Sequence, residues 1–152
     1  MAKTLGPNFG NECIAAGLGG LPFAWGSDSD SISGRENLTV AQNATLDAVV
    51  AAHDPTKPLV PSAISNRQFF QQLAISGQIT EQEALDAVAT GMIPAKMAAI
   101  IATMPADQQI GAKMALASPV FNRDHPMVPV MQQGMGWTNA QTDDLWRTAV
   151  LL

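Results

Sequence analysis

The stretch ISNRQFFQQLAISGQITEQEALDAV, residues 64–88, decides the fold because it contains two helix starts and one helix stop. Ser65 and Thr80 each begin the spacing S/T-x-x-E/Q, in which the cap residue and the third helical residue exchange hydrogen bonds. Gly77 lies between them, where a glycine can end a helix in the left-handed conformation. The stretch therefore predicts short helices that are joined by tight turns.

The same capping spacing recurs on both sides of this stretch, at Thr39 and at Thr138. Four boxes, each before an apolar periodic segment, favour a compact bundle of about five short helices over residues 64–152. One of these helices is expected to begin at Pro126 and to run through Met131, with Gly134 after it.

Apolar residues at helical spacing predict which positions line each helix of the bundle. In the helix that Thr80 starts, they are Leu85, Val88 and Ala89. In the helix over 106–117, they are Ile110, Met114 and Leu116. Most of the methionines, Met92 and Met114 among them, are interpreted as core residues, although methionine is also common on adaptable binding surfaces.

The N-terminal third has a different texture. Residues 1–37 are rich in Gly, Asn, Ser and Pro and show no helical period. A short hairpin that pairs 21–25 with 31–34 is predicted, followed by one helix over 40–53. Residues 1–53 are therefore predicted to form an N-terminal arm.

Between the arm and the bundle, residues 54–63 contain three prolines in ten positions, which predicts a semi-rigid extended linker. The predicted organisation is thus an arm, a Pro-rich linker and a helical bundle over 64–152. The predicted fold class is mainly α, with a small β-hairpin in the arm.

The arm is predicted to bind a partner. Residues 1–37 have few apolar side chains to offset the ordering of their backbone, which costs roughly 1–2 kcal/mol per residue. A segment of this kind folds on another molecule. Aromatic and large apolar side chains dominate interfaces, so the expected partner-binding residues are Phe9, Leu21, Phe23 and Trp25.

The composition of the chain disfavours nucleic-acid-binding, membrane-spanning and secreted proteins. The chain has 152 residues and a net charge of -5, which disfavours a nucleic-acid-binding surface. No apolar run has the length of a membrane span, and the N-terminus does not resemble a signal peptide. A single cysteine is compatible with a reducing compartment, so synthesis in the cytoplasm is expected.

Candidate reactive residues are few, and each has a structural interpretation that we favour. His125 or Asp124 is expected to cap the helix that begins at Pro126, and His53 is expected in a helix-end turn. Cys13 is interpreted as apolar filler, with an intermolecular contact as the alternative. We therefore predict no catalytic residues, no metal site, no cofactor and no enzymatic activity.

A calcium loop at Asp28 is not expected either. A calcium loop of the EF-hand type needs Gly at its sixth position and Glu at its twelfth, where this chain has Ser33 and Thr39.

The order of the segments resembles small bacteriophage and prophage proteins that are encoded beside tail-fibre or baseplate genes. The residues that carry the resemblance are LPFAW (21–25), SISGRENLTVAQNATLDAVVAAHDP (31–55), residues 64–88, MPADQQIGAKMALA (104–117), FNRDHPMV (121–128) and GWTNAQTDDLWRTA (136–149). The first half also resembles the layout of tail-fibre assembly chaperones. No catalytic residues are implied.

The resemblance implies a structural or adaptor role at the phage tail, with a tail-fibre or baseplate protein as partner and the virion tail as location. The alternative is an assembly chaperone that binds the fibre and is absent from the particle. A homo-oligomer is also compatible with the sequence.

Overall fold

A computed structural model describes residues 2–152, and the fold is mainly α-helical, as the sequence predicts. The chain divides between Leu59 and Val60 into two units, which we call the N-terminal unit and the C-terminal unit. The N-terminal unit contains helices α1 (Phe9–Ala15) and α2 (Val40–Ala52). The described part of the C-terminal unit has six helices, α3 (Asn66–Ile75), α4 (Glu81–Thr90), α5 (Ala95–Ala102), α6 (Ala106–Leu116), α7 (Met127–Met135) and α8 (Asn139–Ala149), and two strands, β1 (Ala63–Ser65) and β2 (Val120–Asn122).

All four predicted capping boxes are present with both of their hydrogen bonds. At the start of α2, Thr39 Oγ1 accepts from the Gln42 N–H at 3.2 Å, and Gln42 Oε1 accepts from the Thr39 N–H at 2.9 Å. Ser65, Thr80 and Thr138 make the same exchange at the starts of α3, α4 and α8. Each cap contributes about 1 kcal/mol, so short-range chemistry fixes where these helices begin.

The N-terminal unit has a core of its own, so the prediction that residues 1–37 form an arm without one is wrong. Six side chains that come from both helices and from the segments around them form a buried cluster, Leu5, Phe9, Cys13, Leu18, Leu38 and Leu46. Half-buried side chains of the same unit pack around them. Sparse apolar residues thus suffice here because most of the large ones pack into a single cluster.

The predicted pairing of 21–25 with 31–34 occurs as one antiparallel bridge. Ala24 and Ser33 exchange both backbone hydrogen bonds, at 3.0 and 2.9 Å. Pro22 has no N–H to donate, and Gly34 adopts a φ of 80°, so regular pairing stops on both sides. The two-stranded sheet lies instead in the C-terminal unit, where β1 pairs antiparallel with β2 and Ile64 is opposite Phe121.

The Pro-rich segment 54–63 is divided between the two units. In the N-terminal unit, the Asn8 side-chain amide donates to the carbonyl oxygens of Lys57 and Pro58, the former at 2.7 Å. In the C-terminal unit, Val60 packs against the core and Ala63 begins β1. Most of the predicted linker is therefore part of a folded unit.

The core of the C-terminal unit gathers side chains from all six helices and from the sheet. Leu73, Met97 and Ile101 are fully enclosed. The Phe69 ring packs on Phe121 with 4.6 Å between centroids, which attaches the sheet to α3. This unit therefore has the helical-bundle character that the sequence predicts.

Helix α7 extends beyond its predicted end, and Gly134 lies inside the helix rather than after it. A Cβ atom at Gly134 would lie only 2.6 Å from Ile100 Cγ1 of α5. The glycine therefore permits α7 and α5 to approach closely. Gly136, with a φ of 70°, ends the helix instead.

Candidate functional site

The four predicted partner-binding residues lie in the N-terminal unit, and they differ in exposure. Phe9 is 0% exposed, and its ring packs against the rings of Trp25 and His53, each with a centroid 5.4 Å away. Leu21 and Phe23 are half-buried against the same core. Phe9 is thus a core residue, and predicting it as a partner anchor was wrong.

Trp25 remains the most accessible of the four, with 41% of its surface exposed. Its indole packs nearly perpendicular to the Phe9 ring and approaches Gly10, where a Cβ would lie 3.1 Å from Trp25 Cζ2. Its role in partner binding stays a prediction.

His53 follows α2, as predicted, but its imidazole is buried and fully hydrogen-bonded. Its Nε2 accepts from the Gly6 N–H at 2.8 Å, so the proton of the neutral ring lies on Nδ1. Nδ1 then donates to Glu12 Oε2 at 2.6 Å. Both ring nitrogens are occupied within the unit, and the ring joins the first turn of the chain to the end of α2.

The Cys13 thiol belongs to the core of the N-terminal unit, as its interpretation as apolar filler predicts. Burial, and then the negative charge of Glu12, raise the pKa of Cys13 to about 11. The thiol therefore stays protonated at neutral pH and is a poor nucleophile.

The two other candidates of the sequence analysis, His125 and Asp28, each accept a hydrogen bond at the start of a helical segment. His125 Nδ1 accepts from the Met127 N–H at 3.1 Å, which confirms that His125 caps α7. Asp28 Oδ1 accepts from the Ser31 N–H at 2.9 Å, at the start of a short 3-10 turn over Ser29–Ser31. Across residues 2–152, no group of three or more His, Cys, Asp or Glu side chains is arranged to hold a metal ion.

No single helix within residues 2–152 has both the length and the apolar composition of a membrane span. Helices α4 and α5 together have that length and composition, although they are bent by 71° relative to one another.

Helix α4 of the C-terminal unit has a row of exposed apolar side chains. Leu85 is 64% exposed and Met92, just beyond the helix, is 60% exposed, with Val88 and Ala89 exposed between them. These four residues have the spacing i, i+3, i+4, i+7 of one helix face, which we call the α4 face. The helix buries only small side chains, Ala84 and Ala87, where it packs on α3.

A second exposed apolar row lies on α6, and a groove connects it with the α4 face. Ile110 and Met114 are exposed one turn apart, and Ala117 continues the row. Ala117 lines a groove of about 400 Å³ together with Val88 of the α4 face. Arg67 lies in the same groove, so its lining carries a positive charge.

Sequence reasoning found the residues of these rows but assigned them to the wrong side of the helices. The interpretation of Met92 and Met114 as core residues is contradicted by their exposure. Ala84 and Ala87 form a second apolar stripe on α4, and small side chains suit close packing between helices. This stripe could have indicated that the alanines face the core and that the larger row is exposed. Helical spacing alone does not tell which of two apolar stripes faces inward.

Comparison of the chain with family models, with curated proteins and with solved structures gives no match.

Proposed function

We propose that this chain acts by protein–protein binding, as a structural or adaptor component of a bacteriophage tail in the fibre or baseplate region. The resemblance of the sequence supports the phage part of the proposal. The observation that carries the binding part is the α4 face, with Leu85, Val88 and Met92 exposed on one side of one helix. Contiguous exposed apolar side chains of this kind mark interaction sites.

The energy available from the α4 face is useful but insufficient alone. Full burial of a large aliphatic side chain is worth about 1.5–3 kcal/mol, so these three partly exposed side chains offer roughly 1 kcal/mol each. A micromolar complex needs about 8 kcal/mol. The partner must therefore also fill the groove beside Val88 and cover the row of Ile110 and Met114.

Charge indicates what kind of segment suits this surface. Helix α4 carries Glu81, Glu83 and Asp86 and no basic residue. A second copy that presented its own α4 face would bring carboxylates against carboxylates, which is unfavourable. The best complement is a segment of a different protein that has lysine or arginine where it faces the carboxylates of α4 and no basic residue where it enters the groove at Arg67.

The test uses phage particles whose genome encodes this chain. Leu85→Gln with Met92→Gln removes the apolar surface while keeping the side-chain length, and Ile75→Gln is the matched control because Ile75 is also exposed, on α3. We expect mass spectrometry of purified particles to detect the wild type and the control in equal amounts and the double variant at less than a tenth of them. Equal amounts of all three variants would contradict the use of the α4 face.

The same measurement separates the adaptor from the chaperone alternative. If the wild-type chain is absent from purified particles but its deletion prevents fibre assembly, the assembly-chaperone function is supported and the virion role is wrong. Absence from particles together with normal assembly would overturn both.

A further inference from the structure

We propose that the C-terminal unit has a binding site for a small molecule consisting of one aromatic ring with a hydrogen-bond acceptor. The site is a cavity of about 110 Å³ beneath α7 and α8. It is separate from the α4 face and does not rest on the function proposed above. An apolar cavity of about 150 Å³ holds benzene, so the volume suits a single ring whose substituent points to the opening.

The walls of the cavity are suited to a flat apolar ring. Four aromatic side chains and two methionines line it, Phe69, Phe121, Trp137, Trp146, Met127 and Met131. Ring edges and faces attract a further aromatic ring, and methionine sulfur adapts to its shape. An aliphatic or strongly hydrated ligand would not use these contacts.

Several polar side chains at the cavity are already occupied by neighbours. The Thr142 hydroxyl donates to the Thr138 carbonyl at 3.1 Å, and Gln132 Nε2 donates to Asn139 Oδ1 at 2.8 Å. Ser118 Oγ donates to the Val120 carbonyl at 2.9 Å. These three side chains line the cavity, but each already donates a hydrogen bond to a neighbouring residue.

Two of the N–H donors at the cavity, those of His125 and Trp146, have no acceptor within residues 2–152. His125 uses Nδ1 as an acceptor for the Met127 N–H, so the neutral ring carries its proton on Nε2. His125 is exposed and therefore lies at the open side. Trp146 is only 3% exposed, and its indole N–H is buried without a hydrogen bond.

An unpaired buried donor carries a desolvation cost that a ligand acceptor can remove. The available groups of His125 and Trp146 both donate, so the complementary ligand presents an oxygen acceptor. The Arg123 guanidinium, 5.7 Å from the centroid of the Trp146 ring, adds positive charge beside the site, although Asp143 pairs with it at 2.7 Å.

The test compares two probes of equal shape, anisole and ethylbenzene, which differ in one acceptor oxygen. Binding to the full chain is followed by NMR chemical-shift changes. We expect changes at cavity residues for both probes and a roughly three- to tenfold higher affinity for anisole. Absence of changes at cavity residues with saturating anisole, or equal affinity for the two probes, would overturn the proposal.

Variants localise the binding. Ala115→Leu fills the cavity from α6, and Ala106→Leu adds the same side chain at an exposed position of that helix as the matched control. We expect Ala115→Leu to abolish binding of both probes and Ala106→Leu to retain it. Unchanged binding to Ala115→Leu would show that the probes bind elsewhere.

A second variant keeps the test decisive if Ala115→Leu does not fold. His125→Asn preserves a capping acceptor for α7 but removes the Nε2 donor. We expect it to bind ethylbenzene normally and to lose the preference for anisole. A retained preference would contradict the assigned role of His125.

Discussion

Phe9→Ala tests whether the N-terminal unit has a core of its own. Phe9 is completely enclosed, with the Trp25 and His53 rings against it. Truncation of a buried phenylalanine to alanine costs about 3–5 kcal/mol. A folded unit of this length has a stability of roughly 3–9 kcal/mol, at 0.05–0.15 kcal/mol per residue. The substitution is therefore expected to remove most of the stability of the unit.

Hydrogen exchange followed by mass spectrometry measures this effect without a partner. In Phe9→Ala, we expect exchange in peptides that cover α1 and α2 to accelerate roughly a hundredfold or more, since 1.4 kcal/mol corresponds to a factor of ten. Ile14→Ala is the matched control, because Ile14 lies on the same helix and is exposed. If Phe9→Ala exchanges like the wild type, the Phe9 side chain is not part of a core, and the prediction that residues 1–37 fold only on a partner is supported.

Three further predictions concern other positions. Gly134→Ala should lower stability by about 1–3 kcal/mol because its Cβ would meet Ile100, whereas Gly111→Ala, which has no atom within 4 Å, should raise it by about 0.5–1 kcal/mol; thermal melts of both variants check this. The Cys13 thiol, with its pKa raised to about 11, should react with a thiol-specific disulfide reagent only when denaturant is added, and rapid labelling of the native chain would contradict its burial. Hydrogen bonds from the backbone of Thr80 and of Ala95 lower the pKa of Glu83, so its contribution to stability is present above its ordinary pKa and is lost as pH falls through the lower, folded value. Melting temperatures recorded below about pH 5 should therefore fall less steeply for Glu83→Gln than for Glu81→Gln.

The helix starts of this protein could be predicted because the chemistry that fixes them is local. In each box the two partners are three residues apart, as with Thr80 and Glu83, so the sequence contains the whole interaction. The same is true of His125, which caps the helix that begins two residues later. The mainly α fold follows from these signals.

The core of the N-terminal unit could not be predicted because its contacts are distant along the chain. Leu5 and Leu46 belong to one cluster, and no periodic pattern connects them. The hydrogen bond from Gly6 to His53 likewise spans 47 positions. Counting the apolar residues of 1–37 alone underestimates the core, because Leu38 and Leu46 from later in the chain complete it.

The candidate binding surface was missed for a different reason. Helix α4 has a row of large apolar residues and a row of alanines, and the sequence favours the larger row as the buried one. Packing on α3 selects Ala84 and Ala87 instead, because small side chains allow closer helices. The choice depends on the neighbouring helix, which the sequence of α4 does not contain.

The contacts of Asn8 set the order of events during synthesis of the protein. Its amide donates to the carbonyl oxygens of Lys57 and Pro58, about fifty positions later, and Gly6 donates to His53. While the ribosome still holds residues 53–58, Gly6 and Asn8 have none of these partners. The unit can therefore complete its structure only after Pro58 has left the exit tunnel, and until then the polar groups of Gly6 and Asn8 are hydrogen-bonded to water.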